Sequence, residues 1–310
     1  MKILVYTTLN PEQKDQLRNG FTSDVELFFK NDLTEEDLFT KLAEADIVLG
    51  NISLEHFSKP HPNLKFWQLD SAGFDQYQHI NLNIPVANMG TFYAQRCAES
   101  IVAGVIGFYR GIHTLVRLQT EKKWVGSKIR PSLQGLTDKN VVILGAGAIA
   151  MAAEEMLSGF GCNITLTARN NPKATLHTFE ELLAILPETD MVINTLPGSA
   201  DNYVNAEFIN AMKKGSIYAN VGRGNTTDEN ALINALEEGK IAGAVLDVTA
   251  VEPLPLDSKL WEMEQVILTQ HSAGGDQNEN SGKVKHFIKN VNKFLNGEQP
   301  EDLIDLRRGY

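Results

Sequence analysis

Residues 140–168 read NVVIL, GAGAIA, MAAEEMLSGFGC and NITLTA in succession. An apolar β-branched run, a glycine turn, a helical pattern and a second apolar run in that order describe strand, turn, helix and strand. Such a unit builds a parallel sheet with crossover helices. Within it GAGAIA, residues 145–150, fits G-x-G-x-x-G/A. Gly145 permits the tight turn, Gly147 lets backbone approach a pyrophosphate, and small Ala150 lets the helix pack close to the sheet. The amides that open the helix, with Ala148 and Ile149 in the turn, favour phosphate charge. The glycines alone are a weak signal; in this strand–turn–helix context they predict a dinucleotide site.

The end of the second strand bears on which dinucleotide. A carboxylate there binds both adenosine-ribose hydroxyls of NAD, whereas an arginine can pair with a 2′-phosphate. From Gly161 through Phe179 there is no Asp or Glu, and the segment TLTARNNPK offers Arg169, Asn170, Thr167 and Lys173. This predicts NADP(H) as the preferred cofactor with NAD(H) second. The alternative is an ordinary solvated loop arginine.

The same alternation runs through the chain. Strand-like runs at 2–7, 46–51, 66–70 and 85–89 precede a long helical candidate over 92–118 and a polar loop over 120–138. A new series follows at 140–145, 163–168, 191–196, 216–222, 242–248 and 265–270, with helical patterns between most of them and a last helix over 276–296. At 310 residues and 43% hydrophobic, two domains are expected. The class is α/β, with two doubly wound Rossmann-like domains and parallel sheets. Because the terminal DLIDL segment is too short to fold alone, it is placed back on the first domain. The substrate domain is then discontinuous, 1–91 plus 281–310, with the dinucleotide domain at 92–280.

Charge and cysteine content narrow the partners. Lys and Arg total 28 against 39 Asp and Glu, a formal net charge of −11, so no basic footprint exists for nucleic acid or an anionic membrane. No run approaches the roughly 20 apolar residues of a membrane span. MKILVYTTLN reads as a first strand rather than a signal segment, and the expected location is cytoplasmic. Cys97 and Cys162 stand singly without metal-ligand spacing, so reduced structural thiols and no metal are expected.

Three segments that end strands of the second domain carry the chemistry: NVGRGNTTDE, LDVTAVEPLP and LTQHSAGG. Ligands gather at the carboxyl ends of strands in doubly wound sheets, so Arg223, Asp247, Glu252 and His271 are candidates to converge. Arginine clamps a carboxylate, histidine exchanges a proton near neutral pH, and glutamate can hold the imidazole. Gly222 and Gly224 flank Arg223, so backbone there can crowd a ligand. Asp247 can pair, as a strand-end carboxylate, with a backbone amide. Thr195, Leu196, Pro197, Val221 and Gly222, at two further strand ends, complete the candidate cofactor set.

With GAGAIA, NVGRG, GKIAGAVLDV, EPLP and LTQHSAGG in this order, the chain resembles the D-isomer-specific 2-hydroxyacid dehydrogenases over essentially its whole length. The resemblance implies Arg223, Glu252 and His271 as the catalytic set, and Asp247 as a cofactor contact near the nicotinamide amide. It also implies a substrate-binding turn at Ser71, Ala72 and Gly73, with Asn51 nearby, and Arg223 on the substrate as well. By this resemblance a small anionic 2-keto acid is reduced to the D-2-hydroxy acid, in a glyoxylate or hydroxypyruvate reductase-like reaction. His271 is then the proton donor, and closure of the two domains excludes water.

The family commonly has proline before the histidine; here Gln270 stands there, which puts the loop geometry in question. Phe74, Tyr77, Phe92 and Tyr93 read either as an aromatic substrate lining or as core. The apolar 92–118 helix is read as a joint between domains, its apolar face serving either core packing or the subunit surface of a homodimer. Alternatives are NAD-linked oxidation of another 2-hydroxy acid such as 3-phosphoglycerate, which Arg169 argues against, and a dinucleotide sensor without turnover, which would need no proton donor.

Overall fold

The computed structural model describes residues 1–308. In chain order the strands are β1 (Lys2–Val5), β2 (Glu26–Phe29), β3 (Ile47–Leu49), β4 (Phe66–Gln68), β5 (Val86–Ala87), β6 (Asn140–Leu144), β7 (Asn163–Thr167), β8 (Met191–Asn194), β9 (Ser216–Asn220), β10 (Ile241–Leu246), β11 (Val266–Leu268) and β12 (Leu303–Ile304). The α-helices are α1 (Pro11–Asn19), α2 (Glu35–Glu44), α3 (Gly90–Tyr109), α4 (Ile112–Thr120), α5 (Ala148–Ser158), α6 (Phe179–Ile185), α7 (Ala206–Ala211), α8 (Glu229–Glu237) and α9 (Glu279–Leu295). The chain divides into two compact units, Met1–Tyr93 with the chain from Asp276 onward, and Ala94–Gly275.

In the first unit the sheet order is β12-β5-β4-β3-β1-β2. All pairings are parallel except β12 on β5. Side chains alternate across a strand, so a sheet covered on both faces needs apolar residues at successive positions. In β1, Ile3 and Val5 join Val284, Phe287 and Val291 of α9, while Leu4 packs with Leu38 and Leu42 of α2. Thr34 caps α2 through a bond from the Asp37 amide, and Asn10 forms a reciprocal capping box with Gln13 at the start of α1.

In the second unit the order is β11-β10-β9-β8-β6-β7, parallel throughout. Val141 and Ile143 of β6 face Ile101 and Val105 of α3 and Ala153 and Leu157 of α5. Val142 and Leu144 face Phe208 of α7 and Leu232 and Leu236 of α8. The chain winds from β6 to β7 on one side and to β8 on the other, so the turn after β6 sits at the point where the strand order reverses. That is where such sheets bind ligands.

Several expectations change. The single helix over 92–118 is two helices, α3 and α4, bent by 72°. Gly111 breaks it with φ +63°, and an added Cβ would lie 2.8 Å from Leu133 Cδ2. The segment after α4, read as a plain loop, contains a 3-10 turn over Gly126–Ser132. Not every strand is parallel, since β12 runs against β5, and β2 was absent from the sequence reading. Predicted strands also end earlier than expected; at the ends of β3 and β6, Gly50 and Gly145 turn the chain with φ +110° and +107°. No single helix among the described residues is long and apolar enough to cross a membrane.

Candidate active site

The turn after β6 has the form expected. Gly145 has φ +107°, and an added Cβ would meet the Thr195 hydroxyl at 2.7 Å. Around Gly147, which begins α5, a Cβ would find nothing within 4 Å, so the backbone is open to a ligand. Ala150 is fully buried against the sheet. Thr195 Oγ1 donates to the Leu144 carbonyl at 2.8 Å, and the Leu196 amide donates to Asn194 Oδ1 at 2.9 Å, tying the ends of β6 and β8 together just before Pro197. These residues fit the pyrophosphate part of a dinucleotide by shape and by available amides.

At the end of β7 Arg169 and Asn170 are exposed. Thr167 is buried, so its side chain is not presented to solvent beside them. Asn171 pins the loop: its Nδ2 donates to the Ala146 carbonyl at 2.9 Å and its Oδ1 accepts from the Lys173 amide at 3.0 Å. The sequence reading passed over Asn171, because a short side chain that ties one loop to another leaves no periodic signal. Burial raises the Tyr203 hydroxyl above its ordinary range, against which the Arg169 charge acts as a lowering influence.

The catalytic candidates lie at the ends of adjacent strands β9, β10 and β11. His271 Nδ1 and Glu252 Oε2 are 2.6 Å apart, a charge-assisted pair when the imidazole is protonated. The Thr249 amide donates to the other glutamate oxygen, Oε1, at 3.1 Å. With the His271 side chain about half exposed (54%), the ring is open to a substrate.

Asp247, 5% exposed, holds the loop beneath. Its Oδ1 accepts from the Thr269 hydroxyl at 2.6 Å and from the amides of Ser272 and Ala273 at 3.0 and 3.1 Å, and its carbonyl accepts from the His271 amide. Of the two roles considered for Asp247, pairing with backbone amides is the one seen. Gln270 and His271 both adopt left-handed backbone, φ +55° and +53°. Proline, locked near −65°, cannot take the first of these values. The glutamine therefore fits the loop geometry that this chain uses.

Arg223 follows β9, with Nη1 donating to the Gly222 carbonyl at 2.8 Å. Its backbone is set by a buried polar network that the sequence did not reveal. The Arg223 carbonyl accepts from Thr226 Oγ1 at 2.5 Å and Asn220 Nδ2 at 3.2 Å, while Asn194 Nδ2 donates to Tyr218 and Thr226 at 2.8 Å each. Burial pushes the Tyr218 hydroxyl up to about 12, so it stays protonated and bonds to Thr227. The flanking glycines admit neighbouring backbone: a Cβ on Gly222 would lie 2.4 Å from the Leu196 carbonyl oxygen, and one on Gly224 1.8 Å from that of Thr249. Val221 is buried beside them.

In the first unit, Asn51 Nδ2 donates to Ser71 Oγ at 3.1 Å, and Ser71 Oγ donates to the Gly73 carbonyl at 2.7 Å. Asn51, Ser71, Ala72 and Gly73 are each half-buried and sit together at the ends of β3 and β4. Phe74 and Tyr77 are fully buried core residues and not a lining.

A family model, "D-isomer specific 2-hydroxyacid dehydrogenase, NAD binding domain", matches residues 102–273. The chain belongs to the D-isomer-specific 2-hydroxyacid dehydrogenases. It is an NAD(P)-dependent oxidoreductase of that family. Among its relatives is an uncharacterised protein from the proB 3′ region of Corynebacterium melassecola, 34% identical over 87% of this chain and 91% of that one. The glyoxylate/hydroxypyruvate reductase B of Erwinia tasmaniensis is 28% identical over 93% of this chain and 91% of its own length. A crystal structure of a D-isomer-specific 2-hydroxyacid dehydrogenase from Xanthobacter autotrophicus, in complex with NADPH and MES, superposes with a TM-score of 0.82 at 27% identity, covering 100% of this chain and 99% of that one. The α/β dehydrogenase fold expected from the sequence is thereby borne out.

Proposed function

We propose that this dehydrogenase reduces a small 2-keto acid to the D-2-hydroxy acid with NADPH, His271 giving the proton. The observation that carries the reading is the 2.6 Å contact between His271 Nδ1 and Glu252, on a loop whose amides and hydroxyl are taken up by Asp247. An imidazole held by a carboxylate at Nδ1 presents Nε2 as a proton donor of fixed orientation. NADPH, when bound, supplies the hydride. Gly145, Gly147, Ala148, Ile149, Thr195, Leu196, Pro197, Val221 and Gly222 would hold it, with Arg169 and Asn170 at its 2′-phosphate. Arg223 would bind the substrate carboxylate and stabilise the charge developing on the keto oxygen. Asn51, Ser71, Ala72 and Gly73 would hold the rest of the substrate, the first unit serving as substrate domain and the second as dinucleotide domain.

The NADPH-bound Xanthobacter structure and the Erwinia reductase support the cofactor and the substrate class. The free thiols Cys97 and Cys162 fit a reducing, cytoplasmic setting. A homodimer is supported by apolar side chains left exposed on and after α4, Ile112, Val116 and above all Trp124 at 96%. The deciding experiment is the initial rate with NADPH and with NADH across glyoxylate, hydroxypyruvate and branched and aromatic 2-keto acids. NADPH-dependent turnover of a short member is the expected result, and tight NADPH binding without turnover of any member would reject the proposal.

A further inference from the structure

The ends of β1, β3 and β4 are neighbours in the first sheet, and the strand order reverses at β1, between β2 and β3. Thr7, Asn51 and Asp70 stand just beyond those three strands. Thr7 Oγ1 donates to Asp70 Oδ2 at 2.8 Å, and the Asp70 amide donates to Asn51 Oδ1 at 3.3 Å. Gly50, with φ +110°, makes this approach feasible, since a Cβ there would lie 2.7 Å from both the amide and the hydroxyl of Thr7. Two other aspartates of this unit have cations, Asp46 with Lys65 at 2.7 Å and Asp32 with Lys14 at 2.7 Å. Among the described residues Asp70 has no such pair. It is half-buried and its side chain is held by a neutral hydroxyl, so its negative charge is uncompensated beside the Asn51–Ser71 cluster.

We infer that Asp70 sets the specificity for the substrate side chain. It accepts a 2-keto acid whose side chain ends in a hydrogen-bond donor, and it rejects one that carries a second carboxylate or a phosphate. The inference rests on the reduction reading above and on the placement of Asn51 and Ser71 beside the substrate. A hydroxyl or amine given to a fixed carboxylate makes a charge-assisted bond. A second anion there meets like charge in a partly desolvated wall, and specificity of this kind comes from the repulsive element as much as from the attractive one. A 3-phosphoglycerate-type substrate is disfavoured on the same ground.

The test compares kcat/KM with NADPH for hydroxypyruvate, 2-ketobutyrate, oxaloacetate and 3-phosphohydroxypyruvate in the wild type and in Asp70→Asn. Hydroxypyruvate is expected to exceed 2-ketobutyrate by about tenfold, and oxaloacetate and 3-phosphohydroxypyruvate, which carry a second anionic group, by about 100-fold. Asp70→Asn should raise the ratio of oxaloacetate to hydroxypyruvate about tenfold. In the wild type the same ratio should rise as salt goes from about 0.05 to about 0.5 M, a readout that does not depend on how well the variant folds. An unchanged ratio in a variant that still reduces hydroxypyruvate, or a wild-type ratio indifferent to salt, overturns the inference and leaves the reduction reading standing. Failure of the wild type to reduce any 2-keto acid overturns both.

Discussion

Glu252 Oε2 lies 2.6 Å from His271 Nδ1, and the glutamate's other oxygen takes the Thr249 amide at 3.1 Å. The carboxylate thus spans its own loop and the imidazole, fixing the ring without burying it. If His271 gives the proton, His271→Ala should lower kcat by about 10²- to 10⁴-fold. Affinity for NADPH, measured by fluorescence titration, should stay within about twofold, because the ring is not among the proposed cofactor contacts. Glu252→Gln keeps the size and loses the charge, and should show a smaller loss of kcat at unchanged NADPH affinity. Full activity in His271→Ala would remove the residue from the mechanism.

The cofactor preference is argued from Arg169, exposed at the end of β7 in a segment without carboxylates. Arg169→Ala should lower kcat/KM for NADPH by about tenfold or more, the worth of a charge-assisted contact to phosphate, and leave NADH nearly untouched. Steady-state kinetics with both cofactors checks this. An equal loss with NADPH and NADH would mean that the side chain shapes the loop and does not read the phosphate.

Gln270 offers a test of loop geometry. With φ +55°, it can be replaced by glycine at no steric cost but not by proline. Gln270→Gly should keep the melting temperature or raise it, whereas Gln270→Pro should destabilise by more than about 1 kcal/mol and lower kcat, because the ring would force the loop carrying His271 out of place. Thermal melts and turnover of the two variants together check the prediction. A proline variant as stable and active as the wild type would show that the loop readily adopts another conformation.

How much was legible follows from how local each signal is. GAGAIA could be read because a strand, a glycine turn and a helix lie consecutively, and the structure has all three at the expected places. The break between α3 and α4 could not, because Gly111 is one of several glycines in the run, and the Leu133 side chain that leaves no room for a Cβ there is distant in sequence. Strand β2, ELFF, is too short and too partly buried to stand out. The segments bearing Arg223, Glu252 and His271 were recognisable as strand ends and by family resemblance. Of what holds them, only the Asp247 pairing with backbone amides was among the readings; the bonds that Asn220 and Thr226 donate to the Arg223 carbonyl join side chains to backbone without any repeat. Gly222 and Gly224 were noticed because backbone can crowd them, and the backbone of Leu196 and Thr249 does so.

The return of the chain to the first unit carries a pH signature. Glu301 accepts from Lys289 Nζ at 2.8 Å and Lys293 Nζ at 2.9 Å, and these hydrogen bonds hold its carboxyl down at about 2. Its backbone exchanges two bonds with Asn290, whose amide also reaches Gln68 of β4 at 2.7 Å, so the ion pairs help dock the segment leading to β12. A carboxyl whose folded value lies below its unfolded value, about 4.3 for glutamate, stabilises the fold fully above that value and loses the contribution as pH falls toward the folded one. Since the Lys289 and Glu301 side chains are 55% and 34% exposed, solvent screens the pair, and the contribution should be no more than about 1 kcal/mol. Glu301→Gln should therefore melt slightly below the wild type at pH 6, and the gap should close between about pH 4.3 and pH 2 and shrink in high salt. A gap that widens on acidification would mean that Glu301 acts through its backbone and packing and not through its charge.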